Sequence, residues 1–275
     1  MSLPGFIIWD IDPEIFSVGV FSVRWYGLLF AAAFVLGYFI IRKMFRKEHV
    51  PLKVLNHLTW YIAIGTIVGA RLGHCLFYEP DYYFQHPWEI FMIWYGGLAS
   101  HGAAVGILTA LYIFSRVEHK PFLWILDKIV VVVALSGFLI RIGNLLNSEI
   151  YGMETSLPWG FIFVRTNEIL AKHPTQIYEA LSYLLIFILL YYLYFKKPTV
   201  MYQGVLSGIF LVLTFSVRFL IEFIKEDQVA FEKGMVLNMG QMLSIPLIIW
   251  GIYLLTRPKK IFAGKMPDKI EETSN

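Results

Sequence analysis

An all-α, polytopic membrane fold of about seven transmembrane helices is predicted by three observations. The 275-residue chain is 57% hydrophobic and only 16% charged, with a mean hydropathy of +0.62, whereas a soluble domain carries about a quarter charged residues. Its apolar residues come in blocks of about twenty, the length that crosses a hydrocarbon layer of about 30 Å. Its basic residues collect in alternate connections, as they do in short cytoplasmic loops.

Residues 1–15 carry no basic n-region and no small-residue cleavage site, so the N-terminus is expected to stay on the chain. Phe6, Ile7, Ile8 and Trp9, followed by Asp10, Asp12 and Glu14, read as a segment resting at the membrane surface. Spans are predicted near 18–41, 55–77, 90–114, 123–142, 177–195, 203–223 and 241–255. After the first come Arg42, Lys43, Arg46, Lys47 and Lys53; after the third, Arg116 and Lys120; after the fifth, Lys196 and Lys197; after the seventh, Arg257, Lys259, Lys260 and Lys265. The other connections are acidic or mixed, with Glu79, Asp81 and Glu89, then Glu149, Glu154 and Glu168, then Glu226, Asp227 and Glu232. That alternation requires seven spans, the N-terminus outside and the C-terminus in the cytoplasm.

Residues 143–172 are too long and too polar for a minimal turn and are expected to form an external or interfacial element. Residues 258–275 read as a polar cytoplasmic tail. No internal repeat stands out, and the whole chain, 1–275, is read as one integral membrane domain. Net charge is only +3, which suggests no nucleic-acid partner. A single cysteine, Cys75, excludes an internal disulfide.

Where the solvent is oil, polar residues are the informative ones, because a charge at mid-bilayer costs about 2.5 to 3.5 kcal/mol on insertion scales. Arg24 and Tyr26 fall early in the first span. Arg71, His74 and Tyr78 share one face of the second. His101 falls in the third, Arg141 and Asn144 at the outer end of the fourth, and Arg218 with Glu222 in the sixth. Each has a plainer reading. Arg24 can be a snorkelling anchor, Arg218 and Glu222 can neutralise one another one turn apart, His74 can be a packing histidine, and Tyr78 can be an interfacial aromatic.

His101 lies in a run of small residues, Gly96-Gly97-Leu98-Ala99-Ser100-His101-Gly102-Ala103-Ala104, which admits close backbone approach or leaves room for a substrate. Gly65, Gly69 and Gly73 recur every fourth residue and read as a packing seam. GxSxG, HExxH and a phosphate loop are absent from the sequence. Ser100 and His101 diverge by about 100° on a helix, so they form no direct nucleophile-base pair. The histidines are dispersed without ligand spacing, so no metal site is expected. Arginines around a central membrane cavity, with a histidine near, suit a phospholipid phosphate, because the guanidinium fork matches phosphate oxygens and keeps its charge when partly buried.

The segment Arg141-Ile142-Gly143-Asn144-Leu145-Leu146-Asn147-Ser148-Glu149-Ile150-Tyr151-Gly152 resembles the signature of the bacterial prolipoprotein diacylglyceryl transferases. Six further segments resemble that family in order: Arg24-Trp25-Tyr26-Gly27, Gly69-Ala70-Arg71-Leu72-Gly73, Ser100-His101-Gly102, His173-Pro174-Thr175-Gln176-Ile177-Tyr178-Glu179, Arg218-Phe219-Leu220-Ile221-Glu222-Phe223 and Met239-Gly240-Gln241-Met242-Leu243-Ser244-Ile245-Pro246. Ile140 and Leu145 depart from the family's Gly and Phe, and Thr214 stands where many members have tyrosine. These changes bear on the shape of the cavity, since the charged groups all remain.

The resemblance implies transfer of the diacylglyceryl group of phosphatidylglycerol to the lipobox cysteine of a preprolipoprotein, releasing glycerol 1-phosphate, without a cofactor. It implies a bacterial cytoplasmic (inner) membrane location and, as partners, phosphatidylglycerol, signal peptides with a lipobox cysteine, and membrane lipid. On this reading Arg141 holds the headgroup, Arg218 meets the leaving phosphate, and His101 takes the thiol proton or, alternatively, only hydrogen-bonds lipid. Tyr26, Tyr78, Asn144, Glu149 and Gly152 line the headgroup site, and Glu222 orients Arg218. Two other classes compete: a lipid or solute transporter, and an intramembrane protease, for which Asp127 is the only aspartate within a predicted span.

Overall fold

The structure, a computed structural model, describes residues 5–19, 21–196, 203–226 and 236–257. Lys197, Asp227, Glu232, Lys259, Lys260 and Lys265, together with the predicted tail 258–275, lie outside the described residues. Seven long helices carry the architecture: α1 (Trp25–Lys47), α2 (Leu52–Phe77), α4 (Ser100–Val117), α5 (Phe122–Leu146), α6 (Thr175–Lys196), α7 (Val205–Ile221) and α8 (Met239–Thr256). A short α3 (Pro80–Gln85) follows α2. Six of them, all but α4 among the long ones, are long and apolar enough to cross a membrane. The 18 residues of α4 include Ser100, His101 and Arg116, and α4 is not among the helices that meet that measure.

Two small ribbons decorate the helices. Strand β2 (Glu14–Val18) turns antiparallel onto β3 (Phe21–Arg24), and β1 (Ile7–Trp9) pairs in parallel with β4 (Phe161–Phe163). The hairpin corrects the first predicted span, since the helix begins at Trp25 and the apolar residues before it are in strands. The third span is corrected too. Residues 87–95 form short 3-10 turns, and Gly96 and Gly97 take positive φ, so α4 starts only at Ser100 and His101 stands in its first turn. Apolar composition is shared by a buried helix and an interfacial loop, so hydropathy alone could not place that boundary.

The α1–α2 and α4–α5 connections have the same construction. Glu48-His49-Val50-Pro51 and Glu118-His119-Lys120-Pro121 each place a histidine in the left-handed region, with φ of 55° and 50°, followed by a proline that opens the next helix. A left-handed residue ends a helix and proline fits the start of the next. Further matches sit at nearly the same offset. Trp25-Tyr26-Gly27 is repeated by Trp94-Tyr95-Gly96, and Arg71, Gly73, Leu76 and Glu79 by Arg141, Gly143, Leu146 and Glu149. The fold agrees, because α1 packs mainly on α5 as α4 packs on α2. An internal parallel repeat therefore builds the first half of the molecule, correcting the expectation of none; its low identity over apolar segments hides it from inspection of sequence alone.

The α2–α4 seam is glycine-built. A Cβ at Gly69 would stand 2.7 Å from the Cα of Gly106, and one at Gly73 would stand 2.6 Å from the Cα of Gly102, so the two backbones touch as small residues allow. The main apolar core, with Met44, Phe45, Leu58, Leu111, Phe114 and Ile125, lies toward the Pro51 and Pro121 turns. There Asp127 accepts from the backbone N–H groups of Gly204 and Ser207 at 2.6 and 2.8 Å and from the Ser207 hydroxyl at 2.7 Å. It caps the start of α7 in place of a local side chain. Its carboxylate is thus engaged in holding a helix end.

Candidate active site where four helices end

At the other end of the molecule α5, α6, α7 and the turn that follows α7 bring charged side chains together, and the start of α8 packs against them. Arg141 Nε lies 2.8 Å from Glu179 Oε2. The other oxygen of Glu179 lies 3.2 Å from Lys225 Nζ, which is 3.3 Å from Glu222 Oε1, and that oxygen is 3.6 Å from Arg218 Nε. Arg141 and Arg218 are therefore the two ends of one continuous ionic relay. Glu179 has no solvent exposure and Lys225 is nearly as buried, while the side chains of Arg141 and Arg218 keep 13% and 33% of theirs. Within the relay three cations face two carboxylates, and the nearby Glu149 reaches Arg141 only through Asn144.

Neighbouring side chains fix the relay. Asn238 opens α8 through a reciprocal capping box with Gln241 and donates from Nδ2 to Glu222 Oε2 at 3.1 Å. Gly240 leaves the space that Glu222 fills, since a Cβ there would meet its carboxyl carbon at 2.6 Å. Tyr183, one turn beyond Glu179, lies beside both Arg141 and Arg218. Thr214, one turn before Arg218, has a buried hydroxyl with no hydrogen-bond partner among the described residues.

The signature loop wraps one side of this cluster. Arg141 Nη1 donates to Asn144 Oδ1 at 3.1 Å, and Asn144 and Asn147 both donate to Glu149 Oε1, at 2.9 and 3.2 Å. Tyr26, at the start of α1, packs on Gly143, where a Cβ would meet its ring at 2.8 Å. Ser148 and Ile150 take positive φ, of 54° and 61°, a rare state for a β-branched residue such as Ile150. Two bonds from α6 hold the loop there: Thr175 Oγ1 to the Ile150 carbonyl at 3.0 Å and Gln176 Nε2 to the Glu149 carbonyl at 2.8 Å. Strain held by surrounding bonds is a common property of functional sites.

Gly152 is buried against the middle of the relay, paired with Lys225. A Cβ on it would collide with the Ile224 carbonyl and stand 2.7 Å from Thr175 Cγ2, so only glycine lets residues 150–153 lie beside 224–225. Outside the helices, Lys172 gathers Glu226, Glu168 and Glu154 at 2.5, 3.4 and 3.8 Å. Burial works against its charge, but the bonds to Glu226 and Glu168 outweigh that and hold its pKa above the ordinary lysine value. Burial depresses the pKa of His173. Its backbone bonds Gly152 and Met153.

The structure joins Tyr26, Arg141, Asn144, Glu149, Gly152, Arg218 and Glu222 in this way. His101 and Tyr78 belong to the α2–α4 end instead. Tyr78, 64% exposed, stacks on His74 with ring centroids 5.9 Å apart. Arg71 is buried and satisfied, donating to the carbonyls of Glu89, Ile90, Gly96 and Gly97 and lying over the Tyr83 ring. It clamps the 89–97 loop that positions the first turn of α4. His101 is exposed in that turn, and among the described residues no hydrogen bond or ion pair connects it to either arginine.

Sequence reasoning missed Glu179 and Lys225, the interior of the relay. Glu179 was detectable, because it lies inside the predicted fifth span and the cost of intramembrane charge applies to it as to Arg141. Lys225 was not, since it sits among acidic residues that read as a solvated loop.

Known proteins supply an independent comparison. The sequence profile of the family described as Prolipoprotein diacylglyceryl transferase matches residues 13–257. The Phosphatidylglycerol–prolipoprotein diacylglyceryl transferase of Chloroherpeton thalassium is 45% identical, with 100% of each chain covered. Proteins of the same name from Porphyromonas gingivalis and Tolumonas auensis are each 46% identical, covering 94% and 90% of this chain and 97% and 96% of their own.

Proposed function

The chain belongs to the prolipoprotein diacylglyceryl transferase family, and we propose that it transfers the diacylglyceryl group of phosphatidylglycerol to the lipobox cysteine of a preprolipoprotein in the bacterial cytoplasmic membrane. The observation that carries this reading is the relay, in which arginines from separate helices flank shared buried carboxylates and each keep part of the guanidinium side chain open to a phosphodiester. Arg141 holds the headgroup phosphate through its planar fork, and Arg218 meets the charge that gathers on it as the ester bond breaks. Gln176 Oε1, three residues before Glu179 on α6, is a buried acceptor without a hydrogen-bond donor among the described residues. The hydroxyls of a headgroup glycerol are donors of the matching kind.

The thiolate of the substrate attacks the glyceryl carbon that bears the phosphate. A C–S bond forms, the C–O bond to phosphate breaks, and the electron pair leaves with glycerol 1-phosphate. The thiol proton goes to His101, because the thiolate is the nucleophile. His101 approaches from the α2–α4 side, so the two substrates meet between the glycine seam and the relay. Tyr26, Asn144, Glu149 and Gly152 shape the headgroup side; Glu222 orients Arg218; Tyr78 contacts lipid near His101. The chain forms one membrane domain, with 143–172 outside, where Trp159 and Ile169 present exposed apolar surface, and 258–275 in the cytoplasm.

The test is to give the purified protein phosphatidylglycerol and a lipobox peptide. The peptide gains the mass of a diacylglyceryl group, and Arg141→Ala prevents the gain while leaving a folded protein. An unchanged peptide mass with lipid moved between leaflets would instead make the protein a transporter.

A further inference from the structure

The end of α1 opposite the relay carries two arginines whose side chains meet no anion among the described residues. Arg42, Phe45, Arg46, Val50, Leu52 and Leu55 line a cavity of about 160 Å³. Arg42 and Arg46 are one turn apart on one face of the helix, and among the described residues neither has a hydrogen-bond or ion-pair partner. Their neighbours differ. Lys43 donates to the Tyr191 hydroxyl at 2.7 Å, and Lys47 donates to the Tyr194 carbonyl at 2.8 Å, so both are spent on α6. Glu48, the only carboxylate in residues 42–55, is held by Lys128 at 2.9 Å and by the Trp124 indole at 2.7 Å.

The internal repeat supplies a control within the same molecule. The position equivalent to Arg46 is Arg116, and the one equivalent to Arg42 is Tyr112. There the guanidinium donates to the tyrosine hydroxyl at 2.8 Å and lies over its ring. The second copy thus answers its own arginine, whereas the first presents two unanswered ones above an apolar floor.

We propose that this pocket binds an anionic phospholipid of the cytoplasmic leaflet, its phosphate between Arg42 and Arg46 and its chains against Leu52 and Leu55. The leaflet follows from the topology inferred from charge bias, and binding is independent of the transfer site. Two guanidinium forks on one face suit phosphate oxygens, and basic pockets on the cytoplasmic side of helix bundles hold such headgroups. A free phosphate would meet the same arginines but would gain nothing from the apolar floor.

Native mass spectrometry of the full chain, loaded with phosphatidylglycerol or phosphatidylethanolamine, tests this. The Arg42→Gln/Arg46→Gln protein should retain one phosphatidylglycerol fewer than wild type. Lys43→Gln/Lys47→Gln, which removes equal charge from the same helix, should lose none from this pocket. Arg141→Ala should lose a different lipid, so that combining it with the double arginine variant removes both. If the double variant does not insert, the single variants Arg42→Gln and Arg46→Gln should each weaken retention several-fold. Equal retention by wild type and arginine variants overturns the proposal, as does an equal loss from the lysine variant. Displacement of the lipid by millimolar inorganic phosphate also overturns it, making the site one for free anion.

Discussion

Arg141 reaches 2.8 Å from a carboxylate oxygen of Glu179, a residue with no exposure to solvent. Its other oxygen holds Lys225 at 3.2 Å, so one buried carboxylate fixes two cations, while the Arg141 side chain still keeps 13% of its surface open to a ligand.

Glu179→Gln should therefore damage positioning first. It takes the paired carboxylate from Arg141 and leaves Lys225 and Arg218 with Glu222 alone, and removing one partner of a buried pair costs about 3–5 kcal/mol. The expected result is a lowered melting temperature and, in the protein that remains folded, a KM for phosphatidylglycerol raised about tenfold or more, the equivalent of about 1.4 kcal/mol in binding. Arg141→Lys should fare little better than Arg141→Ala, because an ammonium cannot span Glu179, Asn144 and a phosphate with one planar fork. Transfer kinetics across a range of lipid concentrations check both.

Replacing His101 separates a base from a lipid contact. A base role requires that His101→Gln lower kcat/KM and change the shape of its pH profile, because a glutamine side chain cannot take up the thiol proton. An unchanged profile with a raised KM would leave His101 as a hydrogen-bonding residue only. The pH–rate profile measured with one lipobox peptide decides between them.

What the sequence made legible follows from which physical signals are local. Spans α2, α5, α6 and α8 were placed by hydropathy, because for them the bilayer is the only solvent that matters. The starts of α1 and α4 were misplaced because Phe21–Arg24 is a strand and Pro87–Phe91 and Ile93–Tyr95 are 3-10 turns, apolar segments that composition does not distinguish from helix. Arg141, Arg218 and Glu222 stood out as charges inside apolar blocks. Their connection did not, since it passes through Lys225, whose ionic character as a buried residue depends on contact with Glu179, 46 positions away in sequence.

Gly69→Ala should weaken the α2–α4 pair. Its Cβ would press on Gly106 Cα at 2.7 Å and on the Gly102 carbonyl, backbone atoms that cannot rotate away. Overpacking of this kind costs about 1–3 kcal/mol. Because Gly102 adjoins His101, the displacement should also slow transfer, whereas Gly27→Ala, which meets nothing within 4 Å, should change neither quantity. Thermal melting and turnover of the two variants in parallel provide the comparison.

Acidification should loosen the segment that closes over the relay, through His173. Burial lowers its pKa in the folded protein below the ordinary histidine value of 6.5, so between the folded and unfolded values the unfolded chain binds more protons. Its contribution to stability is complete above the unfolded pKa and is lost as pH falls through the folded one. The backbone of His173 is bonded to Gly152 and Met153, so charging the ring strains the strand contact beside Lys225 and not a remote loop. Melting temperature measured from pH 8 down to pH 5 should decline in the wild-type protein and decline less in His173→Gln. Identical slopes would assign the acid sensitivity to another group and remove His173 from the account.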